Sequence, residues 1–257
     1  CKQKNLDRNT TKLQFDTCKE ILQSNRNQRI RPGLDNKRIT GWNALLISGF
    51  VQAYWANEDQ KYLNSAIEIA EFFEKSLKND KGLWHTYNNG AAYIDGYLSD
   101  YAPAIPAYIE IYQATFDEKY LAQAYEWMEF VIDHFYDEKS GMFYLNSDQA
   151  EQLVSRPMEL SDNVISSSNS IMARCLYKLG YYYDKPILNE MSEIMLQTVM
   201  KETIQTGPFY AEWSILLWEN IYPFYEVAFT ADDKQQQLKD LWKNYSPQVL
   251  PVGSKDS

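Results

Sequence analysis

Two segments of the chain carry nearly the same sequence, with apolar residues at helical spacing. The phrase Asp-Gln-Lys-Tyr-Leu-Asn-Ser-Ala starts at Asp59, and Asp-Glu-Lys-Tyr-Leu-Ala-Gln-Ala starts at Asp117. The apolar positions that follow are Leu63, Ile67, Ala70, Phe73 and Leu77 in the first copy, and Leu121, Ala124, Met128, Val131 and Phe135 in the second. This spacing predicts two amphipathic helices with the aspartates as N-caps. A weaker third copy starts at Asp184.

More uniformly apolar segments precede these three copies, at residues 42–56, 100–115 and 168–183. Apolar residues on nearly all sides predict helices that are buried on most sides. A further helix is predicted at residues 11–27, and Pro106 is expected to bend the second buried helix. Pairs of one buried and one half-buried helix predict an all-α fold, an α/α toroid of helical hairpins that forms a partial (α/α)6 barrel.

Each predicted hairpin is followed by a glycine and a short extended segment, at Gly82, Gly141 and Gly207. The chain is expected to divide into an incomplete toroid at residues 1–223 and a small strand-helix-strand appendix at residues 224–257. Twelve helices would close a six-hairpin ring, and fewer are predicted here. An open ring exposes apolar surface, so self-association is one expectation.

The amino-acid composition limits the kinds of molecule that the protein is expected to bind. The 257 residues include 25 Lys+Arg against 35 Asp+Glu, a net charge of −10, which argues against nucleic-acid binding. With a mean hydropathy of −0.51, no apolar run is long enough to span a membrane. The three cysteines, Cys1, Cys18 and Cys175, lack the spacing of a metal or redox site. We expect a cytoplasmic protein, with Cys1 arising by processing or excision.

Several segments together resemble a known family. They begin at Arg31 (RPGLDNKRITGWNAL), Tyr97 (YLSDYA), Asp162 (DNVISSSNS) and Phe224 (FYEVA). They are similar to the thioredoxin-domain-containing proteins of the YyaL and spermatogenesis-associated type. The resemblance implies an N-terminal thioredoxin-like domain followed by an (α/α)6 barrel similar to six-hairpin glycosidases and N-acylglucosamine 2-epimerases. This chain would be the later part of that barrel, without the thioredoxin-like domain.

Acidic residues near the starts of the inner helices are the first candidates for chemistry, because helix ends and their loops line the cavity of such toroids. Glycoside cleavage normally needs two carboxyl groups that flank one bond. Asp100 and Asp162 are the predicted catalytic pair, with Asp35 and Glu212 as reserves. Helix capping is an equally good interpretation of Asp100, since it needs the same residue type at the same position.

Aromatic and amide side chains near the same helix starts are predicted to bind substrate: Trp42, Asn43, His85, Tyr87, Tyr101, Asn169 and Trp213. For each aromatic residue, packing in the core is the alternative. The chain has only His85 and His134, and His134 is predicted at the end of an outer helix, so an epimerase mechanism with paired histidines is disfavoured. No nucleotide, acyl-transfer or zinc motif occurs, and we expect no cofactor and no metal.

Two hypotheses of function follow. In the first, the toroid cavity binds or processes a small carbohydrate, and any enzyme activity would be of the glycosidase type with paired carboxylates. In the second, the domain is a non-enzymatic scaffold or regulator for the thioredoxin-like domain of a parent protein. The sequence does not decide between them, nor whether the protein is an enzyme at all.

Overall fold

The computed structural model of the protein describes residues 7–80, 82–150, 155–230, 233–243 and 246–255. Cys1 lies outside these residues. The chain forms two compact units, at residues 1–36 and 37–257, which are described separately. The second unit contains both the helical hairpins and the C-terminal strands, and the predicted boundary after residue 223 stays a prediction.

The first unit contains one helix, α1 (Arg8–Asn27), among its described residues. Asp7 caps this helix, accepting a hydrogen bond from the Thr10 amide at 2.7 Å. All but one of the described residues of this unit are exposed. The structure confirms the helix predicted near the N-terminus.

The described part of the second unit is mostly helical. Its helices are α2 (Thr40–Asn57), α3 (Gln60–Phe72), α4 (Leu98–Thr115), α5 (Glu118–Phe135), α6 (Ser168–Tyr182), α7 (Pro186–Gln205), α8 (Ala211–Ile221) and α9 (Lys234–Trp242). A π-helical turn at Phe73–Leu77 extends α3. Helix α4 continues through Pro103 and Pro106.

Helices α2, α4, α6 and α8 pack side by side, and α3, α5 and α7 pack against the first three as their hairpin partners. The four form the inner row, and the other three are called outer helices. Helix α4 is buried along most of its length, because neighbours cover it on several sides. The alternation of buried and half-buried helices matches the predicted hairpins, while α8 adds an inner helix that the sequence pattern did not indicate.

Both predicted aspartate caps are confirmed. Asp59 accepts a hydrogen bond from the Lys61 amide, and Asp117 accepts one from the Lys119 amide. The third copy differs: helix α7 begins with Pro186, after a residue with positive φ at Asp184. Proline suits the first position of a helix because its missing N–H has no partner there, so no aspartate cap is needed.

Short strands correct the all-α prediction. They are β1 (Arg38–Ile39), β2 (Lys78–Asn79), β3 (Gly82–Asn88), β4 (Ala91–Asp95), β5 (Tyr136–Asp137), β6 (Met142–Phe143), β7 (Tyr225–Phe229) and β8 (Val249–Gly253). Strands β1 and β2 pair antiparallel with β3, which also forms a hairpin with β4. The extended segments after Gly82 and Gly141 are confirmed. The one after Gly207 is wrong, since Gly207–Phe209 forms a 3₁₀ turn.

The start of α2 lies against the start of α4 with no room for a side chain. A Cβ atom on Gly41 would lie 2.5 Å from the carbonyl oxygen of Ser99. This close approach brings the Gly41 amide within reach of the first turn of α4, and it fixes the position of two inner helices relative to each other.

The C-terminal residues form the predicted strand-helix-strand. Strands β7 and β8 pair in parallel, with α9 between them in the chain. Tyr112 on α4 donates a hydrogen bond to the Gly253 carbonyl at 2.9 Å, and Tyr182 on α6 donates one to the Pro251 carbonyl. The strands therefore close the C-terminal end of the inner row.

Candidate functional site

A cavity of about 380 Å³ lies at the N-terminal ends of the inner helices, and we call it the mouth cavity. Its walls come from α2, α4, α6, the histidine of β3 and the loop before α6. The lining residues are Ile39, Gly41, Trp42, Leu45, His85, Ser99, Asp100, Ala102, Pro103, Val164, Ile165, Ser166, Ser168 and Ile171.

Asp100 joins three elements at the mouth cavity. One carboxylate oxygen accepts a hydrogen bond from the Gly41 amide of α2 at 2.9 Å. The other accepts the Tyr97 amide at 2.9 Å and lies 2.8 Å from Nδ1 of His85. The carboxylate is buried, so these contacts replace the water that a charged group needs. Asp100 therefore caps two helices and also orients a histidine.

His85 is the titratable partner that reaches the cavity. Its side chain is 24% exposed, whereas that of Asp100 is 1% exposed. The hydrogen bond to Asp100 raises the pKa of His85, although burial and the Lys37 cation oppose this. Because Nδ1 is bound to Asp100, Nε2 is the ring nitrogen left for a ligand. A histidine fixed by a carboxylate in this way can accept or donate a proton near neutral pH.

Trp42 supplies a large exposed aromatic surface beside this pair. Its side chain is 71% exposed, although it belongs to the first turn of an inner helix. Val164 and Ile165, also exposed, lie on the wall formed by the loop before α6. An exposed tryptophan at a cavity edge can pack against an apolar ring face while polar groups below bind the hydroxyls.

Asp162 does not line the mouth cavity. Its carboxylate accepts hydrogen bonds from the Ser167 amide at 2.9 Å, the Ser170 hydroxyl and the Glu212 amide at 3.0 Å. These donors lie at the starts of α6 and α8. Asp162 therefore holds two helix starts, and the geometry gives no support to its pairing with Asp100 as acid and base.

Three predicted binding residues are buried and used in packing. Asn169 accepts the Phe143 amide and donates to the carbonyls of Phe143 and Glu159. Tyr101 accepts the Leu83 amide at 2.7 Å, and burial raises the pKa of its phenol. Trp213 donates its indole N–H to the Leu160 carbonyl at 2.7 Å. For Tyr101 and Trp213 the alternative interpretation, packing in the core, agrees with the geometry. Asn169 instead links Phe143 of β6 to the loop before α6, and Ser167 is the cap of that helix.

The other predicted residues also lie outside the mouth cavity. Tyr87 packs edge-on against Phe72, and Asn43 donates a hydrogen bond to the Ile39 carbonyl. Asp35 belongs to the first unit, where its side chain is exposed. His134 at the end of α5 contacts Asp148 at 2.9 Å. His134 is not among the residues that line the mouth cavity.

A second cavity, of about 360 Å³, lies deeper in the inner row and is called the interior cavity. It shares four wall residues with the mouth cavity: Leu45, Pro103, Ser166 and Ile171. Arg174 forms two hydrogen bonds with Glu219, at 2.6 and 3.0 Å, and a further one with Glu212. Glu212, a reserve catalytic residue, is thus an ion-pair partner on the interior cavity.

Sequence reasoning missed most of the interior cavity. Its charged lining residues are Glu110, Arg174, Lys178, Glu212 and Glu219. The available signal is charge inside helices predicted to be buried: Glu110 lies in the second such segment, and Arg174 and Lys178 are one turn apart in the third. Glu212 and Glu219 lie on α8, which the sequence pattern did not indicate. Charged residues that face inward on buried helices are rare unless paired or functional.

Two kinds of feature are missing from the described residues, and one comparison found no match. Among the described residues, no group of three or more His, Cys, Asp or Glu side chains is placed to hold a metal ion. No helix in the described ranges is long and apolar enough to cross a membrane. No family model matches the chain.

Comparison with known sequences finds relatives of greater length. An uncharacterized protein of Caenorhabditis elegans is 33% identical over 174 residues, which cover 64% of this chain and 24% of that protein. Human spermatogenesis-associated protein 20 is 23% identical over 203 residues, which cover 74% of this chain and 25% of that protein. The chain is homologous to spermatogenesis-associated protein 20. It spans about a quarter of the length of these relatives.

Solved structures show what the fold is similar to. The GH76 α-mannanase of Bacteroides thetaiotaomicron has a TM-score of 0.59 at 14% identity, and the match covers 84% of this chain and 57% of that structure. Cellobiose 2-epimerase from Spirochaeta thermophila has a TM-score of 0.52 at 16% identity, covering 63% and 43%. At such identities the likeness concerns the fold alone. The hairpins are similar to part of the six-hairpin α/α toroid, while a closed barrel is not confirmed for the described residues.

Proposed function

We propose that the mouth cavity binds a small carbohydrate and that the His85–Asp100 pair takes part in its processing. At a coarse level, the comparisons support carbohydrate processing, because the structural neighbours are sugar epimerases and glycoside hydrolases. The sequence of cellobiose 2-epimerase from Dictyoglomus turgidum is also 23% identical over 196 residues.

The observation that carries the proposal is the placement of an exposed tryptophan and a carboxylate-bound histidine on one cavity wall. Trp42 and the histidine both line the mouth cavity, and Asp100 fixes the ring of His85 at 2.8 Å. Trp42 would stack on a sugar ring, while Nε2 of His85 would bind or exchange a proton with a hydroxyl group. The proposed acid-base group is therefore His85, with Asp100 as its positioning residue.

This assignment differs from both mechanisms considered for the fold. A glycosidase pair of Asp100 and Asp162 lacks support, since the Asp162 carboxylate accepts three hydrogen bonds from two helix starts. A pair of histidines is not available on one cavity from the described residues, because only His85 lines it. The reaction that fits is one that needs a single histidine as acid or base.

Binding measurements with matched variants test the proposal. Calorimetric titration with D-mannose and cellobiose should give saturable binding to the unaltered protein. Trp42→Ala should weaken that binding at least tenfold, on the order of 1.4 kcal/mol, through loss of the ring face. Trp42→Phe should retain most of it. Absence of binding of both sugars at millimolar concentrations, or equal binding by Trp42→Ala, would overturn the proposal.

The scaffold hypothesis stays a prediction, as do the thioredoxin-like partner domain and self-association. A scaffold of this kind needs no open cavity, so it predicts one that is absent or filled with side chains. The two cavities of about 380 and 360 Å³ do not favour it. The binding measurement above separates the two hypotheses, because a scaffold has no reason to bind these sugars.

A further inference from the structure

The interior cavity contains polar groups that the proposed function does not use. Glu110 on α4 and Lys178 on α6 both line it. Neither forms an ion pair within 4.0 Å in the part of the chain that the structure describes, whereas Arg174 is bound by two glutamates. The oxygen Oε2 of Glu110 and the indole nitrogen of Trp242 are buried without a hydrogen-bond partner among the described residues.

Unsatisfied polar groups of this kind are costly. A buried donor or acceptor without a partner destabilises a fold, because it has lost its hydrogen bonds to water, and most buried polar groups are therefore hydrogen-bonded. Two such groups on side chains that line one cavity indicate that the partner is a bound molecule. The carboxyl torsion of glutamate is broad, so a small rotation presents either oxygen of Glu110 to the cavity.

We propose that the interior cavity is a second binding compartment, which takes a small uncharged polyhydroxy compound through hydrogen bonds to Glu110 and Lys178. Hydroxyl groups donate and accept, so they match a wall that offers a carboxyl group, an amine and the amides of Gln52 and Gln113. The inference rests on the proposed function in two respects: the class of ligand, and the access of that ligand to the interior cavity by way of the mouth cavity. The four residues shared by the two cavities place the compartments next to each other.

The charged groups of the cavity favour an uncharged ligand over an anion. Burial raises the pKa of Glu110, although the Ser48 hydroxyl and the cations of Lys178 and Arg174 oppose this. Burial also lowers the pKa of Lys178, and the Arg174 cation acts in the same direction. Both groups are shifted towards their neutral forms. Arg174 is paired with the two carboxylates of Glu212 and Glu219, so its positive charge is not available to attract an anion.

Two tryptophans report the two compartments separately. Trp42 lines the mouth cavity and Trp242 lines the interior cavity. Protein labelled with 5-fluorotryptophan gives one fluorine NMR signal for each of the 7 tryptophans, and the variants Trp42→Phe and Trp242→Phe assign these two. Titration with D-mannose should shift the Trp42 and Trp242 signals with saturation. Titration with cellobiose should shift both signals.

Variants at Glu110 test the role of its carboxyl group. Glu110→Leu should weaken the Trp242 response to D-mannose at least tenfold and leave the Trp42 response to cellobiose in place. Glu110→Gln, which keeps donors and acceptors, should retain part of it. The matched control Glu190→Leu lies on the exposed side of α7 and should change neither signal. Glu110→Gln retains hydrogen-bonding groups towards Ser48, and circular dichroism of both Glu110 variants checks that the fold survives.

The outcomes separate the two proposals. A shift of Trp42 alone would overturn the interior site and leave the proposed function standing. A shift of Trp242 alone would support the interior site and contradict binding at the mouth. No shift of either signal would overturn both. An undiminished Trp242 response in Glu110→Leu would overturn the assignment to Glu110.

Discussion

Asp100 and Asp162 occupy similar places in the structure but differ in what they reach. Each carboxylate accepts three hydrogen bonds, and each joins the starts of two inner helices. For Asp162, all three donors lie at the starts of α6 and α8, so its hydrogen bonds hold these two helices in place. For Asp100 the third contact is His85, which lines a cavity. In the proposed function, an acidic residue at a helix start therefore acts through the side chain that it positions.

Removal of the Asp162 carboxylate should give the largest loss of stability. Asp162→Ala leaves the amides of Ser167 and Glu212 without their buried acceptor, and we expect the free energy of unfolding to fall by about 3 kcal/mol. Urea unfolding followed by circular dichroism measures this. Asp162→Asn, which keeps one oxygen, should lose about half as much. An equal loss in Asp59→Ala would contradict the distinction between buried and exposed caps.

A substitution at Gly41, where α2 and α4 approach each other closely beside Asp100, should reduce stability almost as much. Gly41→Ala forces a methyl group to 2.5 Å from the Ser99 carbonyl, and we expect a loss of about 2 kcal/mol in the free energy of unfolding. Gly49 lies in the same helix with nothing within 4 Å of its added Cβ. Gly49→Ala should therefore stabilise the protein by about 0.5 kcal/mol. Similar effects at both glycines would show that α2 and α4 do not meet as described.

The His85–Asp100 contact predicts a pH-dependent contribution to stability. Because Asp100 raises the pKa of His85 above 6.5 in the folded protein, the stabilisation is fully present below about pH 6.5 and is lost as pH rises through the folded pKa. His85→Asn should thus be less stable than the unaltered protein by about 1.5 kcal/mol below that pH. The gap should shrink towards pH 8.5. A gap that is constant across this range would be inconsistent with the contact.

Removal of the Asp59 cap at the start of the outer helix α3 is expected to have the smallest effect on stability. Asp59 accepts one amide hydrogen bond at the exposed start of α3. Asp59→Ala should lower the free energy of unfolding by about 0.5–1 kcal/mol and leave any sugar binding unchanged. Thermal unfolding of this variant beside Asp162→Asn gives the comparison directly. A larger loss of stability in Asp59→Ala than in Asp162→Asn would contradict the expected order.

The repeat made the helical hairpins predictable, because residues such as Leu63 and Leu121 recur at the spacing of a helix and both helix caps are aspartates. The β3–β4 hairpin was missed, although Asn89 and Gly90 at its turn, both with positive φ, are a strong hairpin signal. The helical spacing of the apolar residues did not indicate the sheet to which His85 belongs.

The site was only partly predictable for a different reason. Residue type and position indicated Asp100, Trp42 and His85, which line one cavity. The same criteria indicated Asp162 and Asn169, whose side chains are used in helix packing. Sequence spacing gives the face of a helix on which a residue lies, but not which backbone amides reach it from another element. Those long-range contacts decide whether a carboxylate supports the fold or a reaction.

Histidine side-chain NMR tests the central claim most directly, since the chain contains 2 histidines. His85 lines the mouth cavity and His134 does not, so His134 is an internal control. Addition of saturating cellobiose should shift the ring-nitrogen signals of His85 and leave those of His134 in place. In Asp100→Asn, the pKa of His85 should fall, and the shift caused by the sugar should weaken. Unchanged His85 signals at saturating sugar, or an equal shift of both histidines, would contradict the account.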